Sequence, residues 1–152
     1  MALKEKLQND LTDAMRARDE IRSSTIRMIL TSIKNEEVAG KEARELNDAE
    51  IITVLSREAK KRREAAEAFD QAGAKDRADQ ERAEGVVIGE YLPKQLTEDE
   101  IKSLIKAAVA ETGASTPAQM GLVMKSLQPK IAGKADGGLV SSLVKAALVG
   151  GN

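Results

Sequence analysis

Pro93 constrains the fold of this chain more than any other residue. Proline cannot continue a helix, and it pushes Leu92 toward extended backbone, so a helix arriving from Gly89-Glu90-Tyr91 must stop there. Four residues later a new helix is signalled. Thr97 can accept from the free N–H groups of the first turn, Glu100 can reach back to the Thr97 N–H, and Leu96 with Ile101 makes a hydrophobic staple. Composition changes across this boundary. Residues 1–95 carry 18 basic and 20 acidic side chains, whereas residues 96–152 carry 6 and 5. Three of those five, Glu98, Asp99 and Glu100, complement the helix dipole just after Thr97. The pattern predicts an N-terminal domain over residues 1–94 and a smaller one over 95–152; an ordinary turn inside one domain is the competing reading.

No segment alternates apolar and polar residues as a strand would, and the chain is expected to be all-α. Leu3, Leu7, Leu11 and Met15 form the stripe of a first helix. A second runs from Asp19 or Glu20 to Val38. Asn47 with Glu50, and Leu46 with Ile51, repeat the capping box and staple to open a third helix over Asp48–Gln71, which Gly73 ends. A fourth climbs from Lys75 to Tyr91. Gly85 and Gly89 cost about 1 kcal/mol each in propensity there, so this last segment either frays or packs its backbone closely on a neighbour; the need to bury Val86, Val87 and Ile88 favours close packing. Beyond the boundary, helices are expected over Glu98–Thr112, from Ser115-Thr116-Pro117 to just before Pro129, and from a loop over residues 128–138 through Leu139, Val140, Leu143, Val144 and Leu148.

The chain has no Cys, His or Trp. The common nucleophile–base pairs and cysteine or histidine metal sites are therefore unavailable, and no cofactor is expected. No apolar run reaches the length of a membrane span, and MALKEKLQND lacks a signal-peptide core, so a cytoplasmic protein is expected. Most carboxylates stand beside Lys or Arg as solvated helix surface would have them. Gly133-Lys134 resembles the end of a phosphate-binding loop, but Gln128 and Ala135 break that pattern and no strand feeds it. Arg57, Lys60 and Lys61, within the run Lys60-Lys61-Arg62-Arg63, offer a basic face. Consecutive helical residues diverge by about 100°, however, and Glu58 and Glu64 interrupt the run.

The C-terminal stretch is more specific. Lys125, Lys130 and Lys134 surround Gly133 and a loop that opens at Asp136-Gly137 onto a helix N-terminus, where free N–H groups could hold phosphate oxygens. A plain helix connection with Asp136 as its cap accounts for the same residues.

Gly121-Leu122-Val123-Met124-Lys125, Gly133-Lys134-Ala135-Asp136 and Leu139-Val140 resemble the tail of the B subunit of the aspartyl/glutamyl-tRNA amidotransferase. With Ser24-Thr25-Ile26-Arg27-Met28, Lys34-Asn35-Glu36-Glu37, Lys60-Lys61-Arg62-Arg63, Glu90-Tyr91-Leu92-Pro93 and Glu111-Thr112-Gly113-Ala114, the whole chain resembles the GatB/YqeY family of stand-alone YqeY-like proteins. The resemblance implies two helical parts and a tail that grips tRNA or a tRNA-bearing complex. It also implies an association with glutamine-dependent carbon–nitrogen ligase chemistry, whose catalytic region has no counterpart here. A protein-interaction adaptor working through the N-terminal helices is the remaining reading. One departure is the stretch at Gln128-Pro129, which lengthens the connection from the Lys125 helix to Gly133.

Overall fold

In a computed structural model that describes residues 2–150, the protein is all-α, with no strand among the described residues. The chain divides between Leu92 and Pro93 into two compact units.

The first unit holds α1 (Leu3–Arg16), α2 (Glu20–Glu37), α3 (Asp48–Gln71) and α4 (Lys75–Gly89). Leu7, Ile26, Ile29, Ile33, Ile51, Leu55 and Ile88 are fully buried in one core. Helices α3 and α4 form an antiparallel hairpin. Gly73 takes a left-handed φ of 75° at the turn, and the Ala74 N–H bonds back to the Phe69 carbonyl at 2.8 Å, closing the C-terminus of α3. α1 ends in a similar way, but with Arg18 at φ 56°, a conformation that strains any side chain with a Cβ. The Asp19 carboxylate caps α2 by accepting from the Arg22 N–H at 3.0 Å. At the other end of α2, Glu37 is only 4% exposed. Both its oxygens take the Lys4 ammonium at 2.9 Å, and Oε2 also accepts from the Leu46 N–H at 3.1 Å. That one carboxylate fixes the connection leading to the Asn47–Glu50 capping box of α3.

The second unit holds α5 (Glu98–Thr112), a 3-10 turn (Pro117–Gln119), α6 (Met120–Ile131) and α7 (Gly137–Val149). The Thr97–Glu100 capping box is formed, with N–H to oxygen distances of 3.2 and 3.3 Å, and Gly113 ends α5 at φ 69°. Ile101, Ile105, Ala108, Val123, Leu127, Ile131, Val140, Val144 and Leu148 make its core.

Several expectations need correction. Met15 is 51% exposed, because residues spaced by four advance about 40° per step and the stripe has turned about 120° away from Leu3 by then. Val86 is 66% exposed although the next two residues, Val87 and Ile88, are buried; three consecutive helical residues cannot share one face. A Cβ at Gly85 would lie 3.8 Å from that of Arg62 on α3, whereas Gly89 has nothing within 4 Å, so only Gly85 faces a neighbouring helix. Helix α4 stops at Gly89, with Glu90 as its cap, rather than at Tyr91. Helix α6 runs through Pro129 to Ile131 instead of ending before the proline. Proline's fixed φ suits a helix; its missing N–H leaves the Lys125 carbonyl without its usual partner, and burial of Ile131 retains the last turn.

Candidate nucleic-acid interface

The three candidate lysines of the second unit lie on α6 and in the turn that follows it. Lys125 and Lys130 are exposed on α6, and neither forms an ion pair among the described residues. Lys134 is exposed in the turn between α6 and α7, beside Gly133 at φ 72°. That turn is held from below. The Lys134 N–H bonds the Ile131 carbonyl at 2.8 Å, and the Lys134 carbonyl accepts from the Leu96 N–H at 2.8 Å. Gln95 Nε2 donates to the Gly133 carbonyl at 2.9 Å and to the Pro93 carbonyl at 2.8 Å. The residues just after the boundary therefore set the position of the Lys134 turn, a long-range link that no local sequence pattern revealed.

The start of α7 is less open to an anion than its glycines suggest. The Asp136 carboxylate accepts from the Gly138 N–H at 2.9 Å, so a negative charge already stands at the positive end of the helix. Gly137 and Gly138 are exposed, and space around Gly137 is open. The exposed positive charge here belongs to the lysine side chains and not to the helix terminus.

The second basic face is largely neutralised. Arg57 pairs with Glu36 at 3.3 Å, Lys60 with Glu64 at 3.9 Å, and Lys61 with Glu58 at 3.3 Å. Arg62 points inward, toward Glu84 at 3.0 Å, Glu81 at 3.5 Å and Glu58 at 3.6 Å. Three carboxylates from α3 and α4 thus converge on one guanidinium, and part of the basic run joins the helices of the hairpin.

A polar cluster that the sequence alone does not assemble surrounds Tyr91. Its hydroxyl donates to Asp10 Oδ2 at 2.6 Å, and the Lys6 ammonium donates to the same oxygen at 2.8 Å while lying 5.1 Å from the centre of the ring. Arg22 grips Glu90 through both its terminal nitrogens at 2.6 and 3.0 Å. The Lys6 and Tyr91 hydrogen bonds hold the Asp10 carboxyl below its ordinary range, and Arg22 does the same to Glu90. Burial, reinforced by the bond to Asp10, pushes the Tyr91 hydroxyl well above its ordinary value. Tyr91 pairs with Asp10 of α1 and Glu90 with Arg22 of α2, which marks the cluster as a fastening of the C-terminal end of α4 to α1 and α2. One open groove of this unit is lined by Met15, Arg18 and Arg27, and another by Ile21, Asp76 and Asp79; Glu20 and Ser24 border both.

Among the described residues no group of His, Cys, Asp or Glu could hold a metal ion, and no helix is long and apolar enough to cross a membrane. Among its described residues such a molecule is an all-helical protein in two units, each with an apolar core. The chain belongs to the Yqey-like protein family, whose family model matches residues 4–148. It is similar to the "Altered inheritance of mitochondria protein 41, mitochondrial" of Lachancea thermotolerans, at 29% identity over 94% of this chain and 77% of the relative. The protein of the same name in Clavispora lusitaniae is 31% identical over 86% of this chain and 77% of its own length.

Proposed function

We propose that this protein is a binding module that engages tRNA, or a complex carrying tRNA, through residues 95–152, without chemistry of its own. The observation that carries the reading is the exposed lysine set Lys125, Lys130 and Lys134, of which Lys125 and Lys134 lie within the segments Gly121–Lys125 and Gly133–Asp136 that resemble the tail of the amidotransferase B subunit. The sign of the charge agrees: from Lys102 onward six lysines face only Glu111 and Asp136. The alternative, an enzyme or subunit in glutamine-dependent amide transfer, has less to stand on. A shared binding module does not transfer the chemistry of a catalytic region. The name of the two relatives concerns the inheritance of mitochondria and specifies neither an RNA nor a reaction. A second reading, an adaptor docking through the N-terminal helices, draws on the exposed side chains of Met15 and Ile21 beside shallow grooves.

Filter binding at low salt with the full chain tests the proposal. With about three phosphates contacted, affinity should fall with salt at a log–log slope of about −2 to −3. Lys125→Ala and Lys134→Ala should each weaken binding and lower that slope by about one. Absence of tRNA affinity, or affinity untouched in the double variant, would transfer the weight to the adaptor reading. In parallel, glutamine, ATP, Mg²⁺ and misacylated tRNA should give no amidated product above a control without protein.

A further inference from the structure

Resting on that reading, we infer that residues 93–152 hold RNA as an A-form duplex, through phosphates and 2′-hydroxyls, without reading its bases. The inference comes from an inventory of the side chains that could do otherwise. Sequence-specific recognition of single-stranded RNA stacks splayed bases on aromatic rings or guanidinium planes. The only two aromatic residues, Phe69 and Tyr91, both precede Pro93, and the last arginine is Arg82. All seven cations of residues 93–152 are lysines, compact charges that suit a phosphate and lack the planar fork used on base edges.

The amide side chains, which could read bases in pairs of hydrogen bonds, are mostly committed. Gln95 Nε2 is taken by the Pro93 and Gly133 carbonyls. Gln119 Oε1 accepts from the N–H groups of Ser115 at 2.8 Å and Thr116 at 3.2 Å. Gln128 is the exposed amide left among the described residues of this unit.

The placement of the lysines points the same way. Lys125 and Lys130 are five residues apart, about 140° around the axis of α6 and about 7.5 Å along it. Lys125 faces away from the buried stripe of Val123, Leu127 and Ile131 and Lys130 lies on one flank of it, so the two charges are not aligned along one edge as a single extended strand would need. Ser142, exposed on α7 one turn before Lys145, adds a hydroxyl of the kind that pairs with 2′-OH groups across the shallow minor groove.

Fluorescence anisotropy of the full chain distinguishes the possibilities with four labelled probes: a tRNA transcript, two short RNA duplexes of unrelated sequence, and an unstructured U-rich strand with as many phosphates as a duplex. The two duplexes should bind within about twofold of each other, and the single strand about tenfold or more weaker, since it gains nothing from stacking. The duplex salt slope should match that of tRNA, and Gln128→Ala should leave both duplex affinities unchanged. If tRNA binds but the single strand binds as tightly as the duplexes, or one duplex is preferred more than about tenfold, the duplex inference falls and the tRNA reading stands. If no RNA binds at low salt, the tRNA reading falls and takes this inference with it.

Discussion

Two residues show how single side chains set the stability of the first unit. Arg18 adopts a left-handed backbone that glycine enters without strain, so Arg18→Gly should raise the unfolding free energy by about 0.5–1 kcal/mol. Thermal or urea unfolding measures this, and a loss of stability would mean that the Arg18 side chain has a role of its own. Tyr91 gives a dependence on pH. The folded state raises the pKa of its hydroxyl, so its contribution is complete below the unfolded value of about 10 and is lost as pH rises toward the higher folded value. Asp10, Glu37 and Glu90 are shifted down, so their contributions are complete above about pH 4.5 and are lost as pH falls through the lower folded values. Stability should therefore be flat in the neutral range and fall at both ends. Tyr91→Phe should cost about 1 kcal/mol at pH 7 and remove part of the alkaline decline. An unchanged alkaline limb in that variant would show that another group sets it.

Among the elements, the capping signals were the most legible part of the sequence. Asn47–Glu50 and Thr97–Glu100 both form the reciprocal bonds expected of them, because a capping box is a local object whose partners lie three residues apart. Thr97→Ala should cost about 1 kcal/mol. What stayed hidden depends on residues far apart in the chain. Lys60-Lys61-Arg62-Arg63 reads as one basic run, yet Arg62 turns toward Glu81 and Glu84 some 20 residues away, and only the hairpin decides that. Arg62→Met should destabilise the first unit by about 2 kcal/mol or more, because it removes the cation shared by Glu81, Glu84 and Glu58 and leaves Glu58 with Lys61 as its cation. The glycines of α4 separate in the same way. Gly89→Ala meets open space and should stabilise by up to about 1 kcal/mol, and Gly85→Ala meets Arg62 at an ordinary contact distance. Equal destabilisation by both alanines would overturn this placement of α4.

At the level of the whole molecule, the periodicity of apolar residues was sufficient for the all-α class, since buried stripes such as Ile26, Ile29 and Ile33 are written every three to four residues. The candidate site was only half legible. Its lysines are plain in the sequence, but the ties from Gln95 and Leu96 to the Gly133-Lys134 backbone span nearly forty residues and have no local signature. Those ties make the boundary residues part of the candidate site. A fragment of residues 93–152 should keep its helical circular dichroism, whereas one beginning at Thr97 should lose order in the Lys134 turn first. The central claim is that the second unit is the RNA-facing part of this protein. The most direct measurement is a titration of the isotope-labelled full chain with tRNA, followed by amide chemical shifts. The account predicts that the largest changes fall between Lys125 and Gly138, with α2 and the start of α4 unmoved. Changes confined to the first unit, around Ile21 and Asp76, would contradict it.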